Sequence, residues 1–241
     1  ITETPLAGKV LDQPESIYYT INVIFDYLNQ TANVEQRIIY KNNSQIPLKE
    51  LLLSCDVLRT DGAFLLSDSK IDGNIVNAEI GDFWLKFQLS KPLEFNHKLV
   101  LDLKYQLNLP KIPEPSDDKK PVIFGYTILQ SNFVDWYPMI VPRDNDGQWI
   151  LHDPWFYGEY LVYPLANFDI TLKIENAPVG YIIAASDAPT TVENEAHTFF
   201  YENARNFVWS ISPSFQFSQE KIDGITVTSY YFPFHQAAGV H

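Results

Sequence analysis

A single cysteine, Cys55, stands in 241 residues, so no intrachain disulfide can form and cysteine usage leaves the compartment open. Its setting, Leu51-Leu52-Leu53-Ser54-Cys55-Asp56-Val57, reads as a small apolar residue in a core. Long apolar runs are missing too. Stretches such as Val122-Ile123-Phe124 fall far short of the roughly 20 residues that a membrane helix needs. Positive charge is scarce: 17 Lys and Arg stand against 30 Asp and Glu, a formal net charge of −13 that repels nucleic-acid phosphates and anionic membrane surfaces. Charged residues are only 20% of the chain against 46% hydrophobic ones, which supplies enough apolar surface to fold. The chain opens at Ile1 with neither Met nor a signal-like stretch, as a trimmed or processed product would.

The familiar signatures of catalysis are also absent. No H-E-x-x-H, G-x-S-x-G, P-loop or G-x-G-x-x-G occurs. The five histidines, His97, His152, His197, His235 and His241, include no pair three or four apart, so no helix can present two of them to a metal. A glycosidase-like pair of carboxylates leaves no trace in sequence and stays open.

What is present reads as β structure. Ile17, Tyr19, Ile21, Val23 and Phe25 alternate with polar neighbours, and Val34, Gln36, Ile38 and Tyr40 repeat the period of two. Further strands are expected at Pro47 to Val57, Phe83 to Leu89, Leu99 to Leu109, Val122 to Leu129, Phe168 to Ile174, Tyr181 to Ala185, Phe207 to Ile211 and Thr226 to Phe232. The run from Leu99 alternates most regularly, which predicts a sheet buried on one face and solvated on the other. Asp-Gly at residues 61, 72, 146 and 223 suits tight hairpin turns. The fold class is all-β: a large saddle-shaped or sandwich-like antiparallel, partly mixed domain with few short helices.

Two segments interrupt the strands. Leu109 to Pro121 is a Pro-rich charged loop, and Asp135 to Tyr163 is a long irregular loop dense in aromatics. Within the second, Asp144-Asn145-Asp146-Gly147 with Asp153 partly matches a calcium loop. Pro142 occupies the first-ligand position and the closing Glu is missing, so a turn at Asp146-Gly147 is the preferred reading. Trp136, Tyr137, Trp149, Trp155, Phe156, Tyr157 and Tyr160 form either a carbohydrate-stacking platform or a set of anchors that tie the loop down, the anchors being favoured. Asn29-Gln30-Thr31 and Asn42-Asn43-Ser44 match the glycosylation sequon, a pattern too short to weigh.

The order of several motifs carries more than any one of them. Tyr18 to Phe25, Asn43-Ser44 with Pro47-Leu48 and Leu51-Leu52-Leu53, Asp135-Trp136-Tyr137-Pro138, Phe168 to Leu172, Gly180 to Ser186, Ala204 to Trp209 and Val227 to Pro233 together resemble the N-terminal β-saddle domain of the aminopeptidase N family of zinc peptidases. The resemblance spans residues 16–235. It implies an arm at residues 1–15, one β domain at 16–235, and at 236–241 the start of a linker to a catalytic domain not included in the chain. It implies a non-catalytic piece that packs on that domain and walls its cleft. The resemblance further implies that no catalytic residue and no metal ligand fall in this chain and that the zinc belongs to the domain that follows. The implied partners are that downstream domain and a peptide substrate's amino terminus, which Gln130 is placed to hold by its spacing before Pro138. The stretch from Asp144 to Asp153 departs from the family's Asp-x-Pro continuation. A non-enzymatic interaction scaffold of the same fold and a carbohydrate-binding sandwich remain as alternatives, and an extracytoplasmic or cell-surface setting is favoured.

Overall fold

The computed structural model describes residues 17–114, 122–144, 146–151 and 163–239. In chain order the strands are β1 (Ile17–Asp26), β2 (Thr31–Lys41), β3 (Leu48–Ser54), β4 (Phe64–Ile71), β5 (Asn74–Ile75), β6 (Glu79–Ile80), β7 (Trp84–Leu93), β8 (Lys98–Asn108) and β9 (Gly125–Tyr126). They continue with β10 (Ser131–Phe133), β11 (Met139–Ile140), β12 (Ala166–Glu175), β13 (Ile182–Ala185), β14 (Thr191–Glu193), β15 (Ala196–Ala204), β16 (Trp209–Ser212), β17 (Gln216–Ile222) and β18 (Ile225–Tyr231). Short helical turns lie at Asp56–Arg59 and Pro233–His235, and α1 is the single turn Gln236–Gly239.

An eight-stranded sheet, in the order β14-β15-β12-β1-β2-β8-β4-β5, forms one layer. Alternation dictates its faces. Ile17, Tyr19, Ile21, Val23 and Phe25 of β1 are buried, as are Leu99, Leu101, Leu103, Tyr105 and Leu107 of β8 and Phe168, Ile170, Leu172 and Ile174 of β12. The other face is wet and carries cross-strand ion pairs between register partners, Arg37–Asp102 at 2.7 Å and Lys104–Glu35 at 2.5 Å. Exposed pairs of this kind add little stability. The sheet is mixed, because β1 runs parallel to β12 and antiparallel to β2.

Two four-stranded sheets, β13-β16-β10-β9 and β11-β3-β7-β6, supply the opposing apolar side chains. Phe133 of β10 and Trp209 of β16 stack at 3.9 Å between centroids, and Phe25 of β1 meets both edge-on at 5.0 and 5.8 Å. Tyr19 stacks on Phe168 at 5.0 Å, and its hydroxyl accepts the Ile140 N–H at 2.9 Å and so ties β1 to β11. Gln36 sits at an inward position of β2 with both ends of its amide engaged: Nε2 donates to the Pro138 carbonyl at 2.8 Å and Oε1 accepts from the Tyr105 hydroxyl at 2.9 Å. Cys55 is buried in the same core, and burial pushes its thiol pKa far up, which leaves it inert.

The expected strand from Val122 to Leu129 shrinks to the two residues of β9. Gly125 has φ 134°, and a Cβ there would collide with the Pro110 carbonyl, so the chain kinks to pass the β8 exit loop. Beyond Tyr126 the backbone turns at once. Two Asp-Gly pairs do close two-residue hairpins, with both residues at positive φ: Asp72-Gly73 between β4 and β5, and Asp223-Gly224 between β17 and β18. The arm expected at residues 1–15 lies outside the described residues.

Truncating the aromatic contact between layers tests its weight. Phe133→Ala is expected to cost about 3–5 kcal/mol in urea denaturation. Gln36→Ala, which strands a buried hydroxyl and a buried carbonyl, is expected to cost about 2–4 kcal/mol by the same measurement.

Candidate functional site

Gln130 closes the four-residue turn from Thr127 that joins β9 to β10. The turn is set by local chemistry: Thr127 N–H donates to the Gln130 carbonyl at 2.8 Å, and the Thr127 hydroxyl accepts from the N–H groups of Leu129 at 3.1 Å and Gln130 at 3.2 Å. Ser212 at the end of β16 clamps the turn from below, its hydroxyl donating to the Leu129 carbonyl at 2.6 Å. Beside it, the turn between β1 and β2 is latched to β10 through Gln30, whose Oε1 accepts from the Ser131 hydroxyl at 2.7 Å while its Nε2 donates to the Tyr27 carbonyl at 2.7 Å. The Gln130 backbone is therefore fixed. Its side chain is half-buried, and its carboxamide makes no hydrogen bond among the described residues.

The segment that carries Gln130 is uncharged, with both polar and apolar side chains. Val122 through Val134 contain no charged residue, and Ile128 at the tip of the turn is 97% exposed. Asn132, two residues along β10, has its Oδ1 engaged by the Ser210 hydroxyl at 2.8 Å. Chemically the place offers one positioned carboxamide, able to accept from an ammonium group or donate to a carbonyl.

The other candidate residues do not gather around it. His97 is exposed in the turn before β8, His235 is exposed in the turn after β18, and His197 on β15 lies 3.4 Å from the Tyr181 hydroxyl, with burial drawing its pKa down. His152 and His241 lie outside the described residues. Among the described residues no group of three or more His, Cys, Asp or Glu is arranged to hold a metal ion, and no helix is long and apolar enough to cross a membrane.

Trp136 and Tyr137 have no exposed surface, which removes them from any sugar-stacking platform and makes them core. Trp136 Nε1 donates to the Phe207 carbonyl at 3.0 Å. The Tyr137 hydroxyl donates to Asn206 Oδ1 at 3.0 Å and accepts the Phe207 N–H at 3.2 Å, and Asn206 Nδ2 donates to Asp135 Oδ1 at 2.9 Å. Two motifs far apart in sequence, Asp135-Trp136-Tyr137 and Arg205-Asn206-Phe207, thus clasp each other. Trp149 is half-buried with the Arg143 guanidinium 5.5 Å from its ring centroid. Trp155, Phe156, Tyr157 and Tyr160 lie outside the described residues, as does Asp153.

Asp144 serves a turn. Its Oδ1 accepts from the N–H groups of Asp146 at 2.9 Å and Gln148 at 2.8 Å. Of the two sequons, Asn42 is fully buried and its Nδ2 donates to the carbonyls of Ile46 and Leu93, so it is closed to modification. Gln30 and Gln36 escaped the sequence reading as functional or structural anchors. Only the inward phase of Gln36 between Val34 and Ile38 marked it.

With this geometry in hand, comparison with solved structures is decisive for the fold. The chain shares its fold with a part of M1 zinc metallopeptidases. A two-domain M1 zinc metallopeptidase mutant solved with L-tryptophan superposes at a TM-score of 0.53 with 13% identity, covering 89% of this chain and 47% of that one. An M1 zinc metallopeptidase from Deinococcus radiodurans gives 0.51 at 13% identity with the same coverage. An aminopeptidase N family protein from Idiomarina loihiensis gives 0.50 at 13%, covering 88% of this chain and 32% of that one. The chain therefore spans about half the length of the M1 enzymes that it matches first. The resemblance read from motif order is borne out as a likeness of fold. No protein-family model and no curated protein matches the sequence.

The clasp has a pH signature. Burial pushes the hydroxyl pKa values of Tyr19, Tyr105 and Tyr137 well above the usual value near 10. In the unfolded chain these groups ionise near pH 10, so the stability they confer is complete below that pH and is lost as pH rises beyond it. The denaturation midpoint is expected to fall steadily above pH 10, and Tyr137→Phe is expected to flatten that fall, both measured by urea titration across pH.

Proposed function

We propose that this chain is the N-terminal, non-catalytic domain of an aminopeptidase-like zinc metallopeptidase, bounded by residues 16 and 235, which packs on a following catalytic domain and walls one side of its cleft. The observation that carries this reading is the lopsided superposition: nearly all of this chain matches under half of each M1 enzyme. The catalytic zinc and its ligands belong, on this reading, to the following domain, and α1 at Gln236–Gly239 begins the connection to it. Gln130 contributes to the substrate site by accepting a hydrogen bond from the substrate's free ammonium group. Its rigid turn, its carboxamide without a hydrogen bond among the described residues, and the uncharged segment from Val122 to Val134 support that role, since a hydrogen bond to a charged group is stronger than one between neutral groups.

The test uses aminoacyl-coumarin reporters. The chain alone is expected to leave them intact with zinc added, whereas a polypeptide that continues through the next domain hydrolyses them. In that longer polypeptide Gln130→Ala is expected to raise KM about 10-fold with a smaller change in kcat, the loss of one hydrogen bond to a charged group. Chelator-sensitive hydrolysis by the chain alone would overturn the reading, and an unchanged KM would remove Gln130 from it.

A further inference from the structure

Three turns meet at one end of the layered strands. β1 and β12 run parallel and finish side by side, Asp26 opposite Glu175, and the Tyr27 N–H donates to the Glu175 carbonyl at 2.9 Å. The turn between β1 and β2, residues 27–30, therefore lies against the turn between β12 and β13, residues 176–181. On its other side Gln30 holds Ser131, which brings in the turn between β9 and β10 at residues 127–130. Each of the three carries an apolar side chain that stays in water: Leu28 is 76% exposed, and Ile128 and Val179 are almost wholly so. One exposed Leu or Ile is ordinary. Three on adjoining turns, where Gly, Asn, Asp and Ser are the usual residues, contribute nothing to this fold and mark a contact surface.

Charge separates this end from the other. Residues 27–30, 127–130 and 176–181 hold no charged side chain, in a chain of net charge −13. The carboxylates at their feet are engaged, Asp26 by the Asn29 N–H at 3.0 Å and Nδ2 at 2.8 Å, and Glu175 by Lys173 Nζ at 2.7 Å. Glu195 stands at the margin near Tyr181. At the opposite end the turns are charged, with Asp72 between β4 and β5 and Glu94 between β7 and β8. Covering the neutral end takes no unpaired ion out of water.

The path of the backbone indicates what covers it. β16 finishes at this end, where the Ser212 hydroxyl holds the Leu129 carbonyl. Pro213 to Phe215 lead from there into β17, and β18 returns to the same place, Tyr231 opposite Gln216. α1 follows, with the Gly239 carbonyl accepting from the Ser218 hydroxyl at 2.8 Å. A domain continuing from α1 is thus tethered beside the three turns, and a short tether holds it at an effective concentration on the order of millimolar. We propose that the three turns are the docking face for that domain, with Leu28, Ile128 and Val179 as its apolar anchors. The inference rests on the proposed peptidase architecture and adds to it the surface through which the two domains meet.

Amide hydrogen exchange tests it, comparing the chain alone with a polypeptide that continues through the next domain. The amides of Ile128 and Val179 are expected to exchange at least about 10-fold more slowly in the longer polypeptide. Ile128→Asp and Val179→Asp are expected to leave the urea midpoint of the chain alone unchanged, since both side chains are exposed. In the longer polypeptide each is expected to abolish the added protection and lower the midpoint. Ile75→Asp, equally exposed but beside the charged turn of β4 and β5, is expected to do neither. Equal exchange in the two polypeptides, or Asp variants that behave like Ile75→Asp, overturns the docking face. So does protection in the chain alone that rises with its own concentration, which assigns the face to a second copy, or that appears on adding phosphatidylcholine vesicles, which assigns it to a membrane. Hydrolysis of the coumarin reporters by a longer polypeptide with unprotected turns sinks the docking face and leaves the peptidase reading. Protected turns without hydrolysis do the reverse.

Discussion

The stacking of Phe133 on Trp209, with Phe25 set edge-on against both, is the contact on which the second layer depends. Strand β10 has three residues and β16 four, too few for ladder bonds alone to hold a sheet in place. Large rings compensate, because each buries extensive apolar area and its edge-on packing fixes direction as well as distance. Once Phe133 is seated, Ser131 reaches Gln30, Ser212 reaches Leu129, and the turn bearing Gln130 has one position. A residue proposed to meet substrate therefore owes its placement to rings in the core.

How much of this was legible in the sequence varies by element. β1, β8 and β12 were plain, since their inward positions are apolar without a break and their outward ones are polar apart from Ile24 and Val100. β4 was hidden because its register shifts between Leu66 and Asp68, which breaks the period of two. β15 was hidden for the opposite reason: His197 to Tyr201 mix polar and aromatic residues on both faces, and Phe200 is exposed. Val122 to Leu129 looked like a strand because composition does not register the collision that Gly125 avoids. Trp136 and Tyr137 were equally ambiguous, as a ring that anchors a loop and a ring that displays a surface have the same spelling. Their partner, Asn206, lies far away in the chain, and only folding brings it to Asp135 and Tyr137. Gln130 was singled out by its spacing before Pro138, but that its backbone is pinned could be learned only from Thr127, Ser212 and Gln30.

The buried polar groups make a second lesson of the same kind. Gln36, Tyr19, Tyr137 and Asn42 each sit in the core with hydrogen-bond partners from another sheet or a distant loop. Apolar contact is tolerant of small slips, whereas a buried amide or hydroxyl is satisfied in one arrangement and costly in others. These four groups hold the covering sheets in register where rings alone would leave several.

The parallel pairing of β1 with β12 sets a schedule for the molecule. Tyr18 faces Asn167 across that ladder, while every other strand between them has a nearer partner. During synthesis β1, β2 and β8 can assemble early, and for a time β1 is an open edge with its apolar face bare. It must wait for more than half the chain to emerge before β12 closes it. Pairings this distant are slow and expose the chain to wrong partners meanwhile, so the interval between the making of residue 26 and residue 166 is when this protein is most in need of protection.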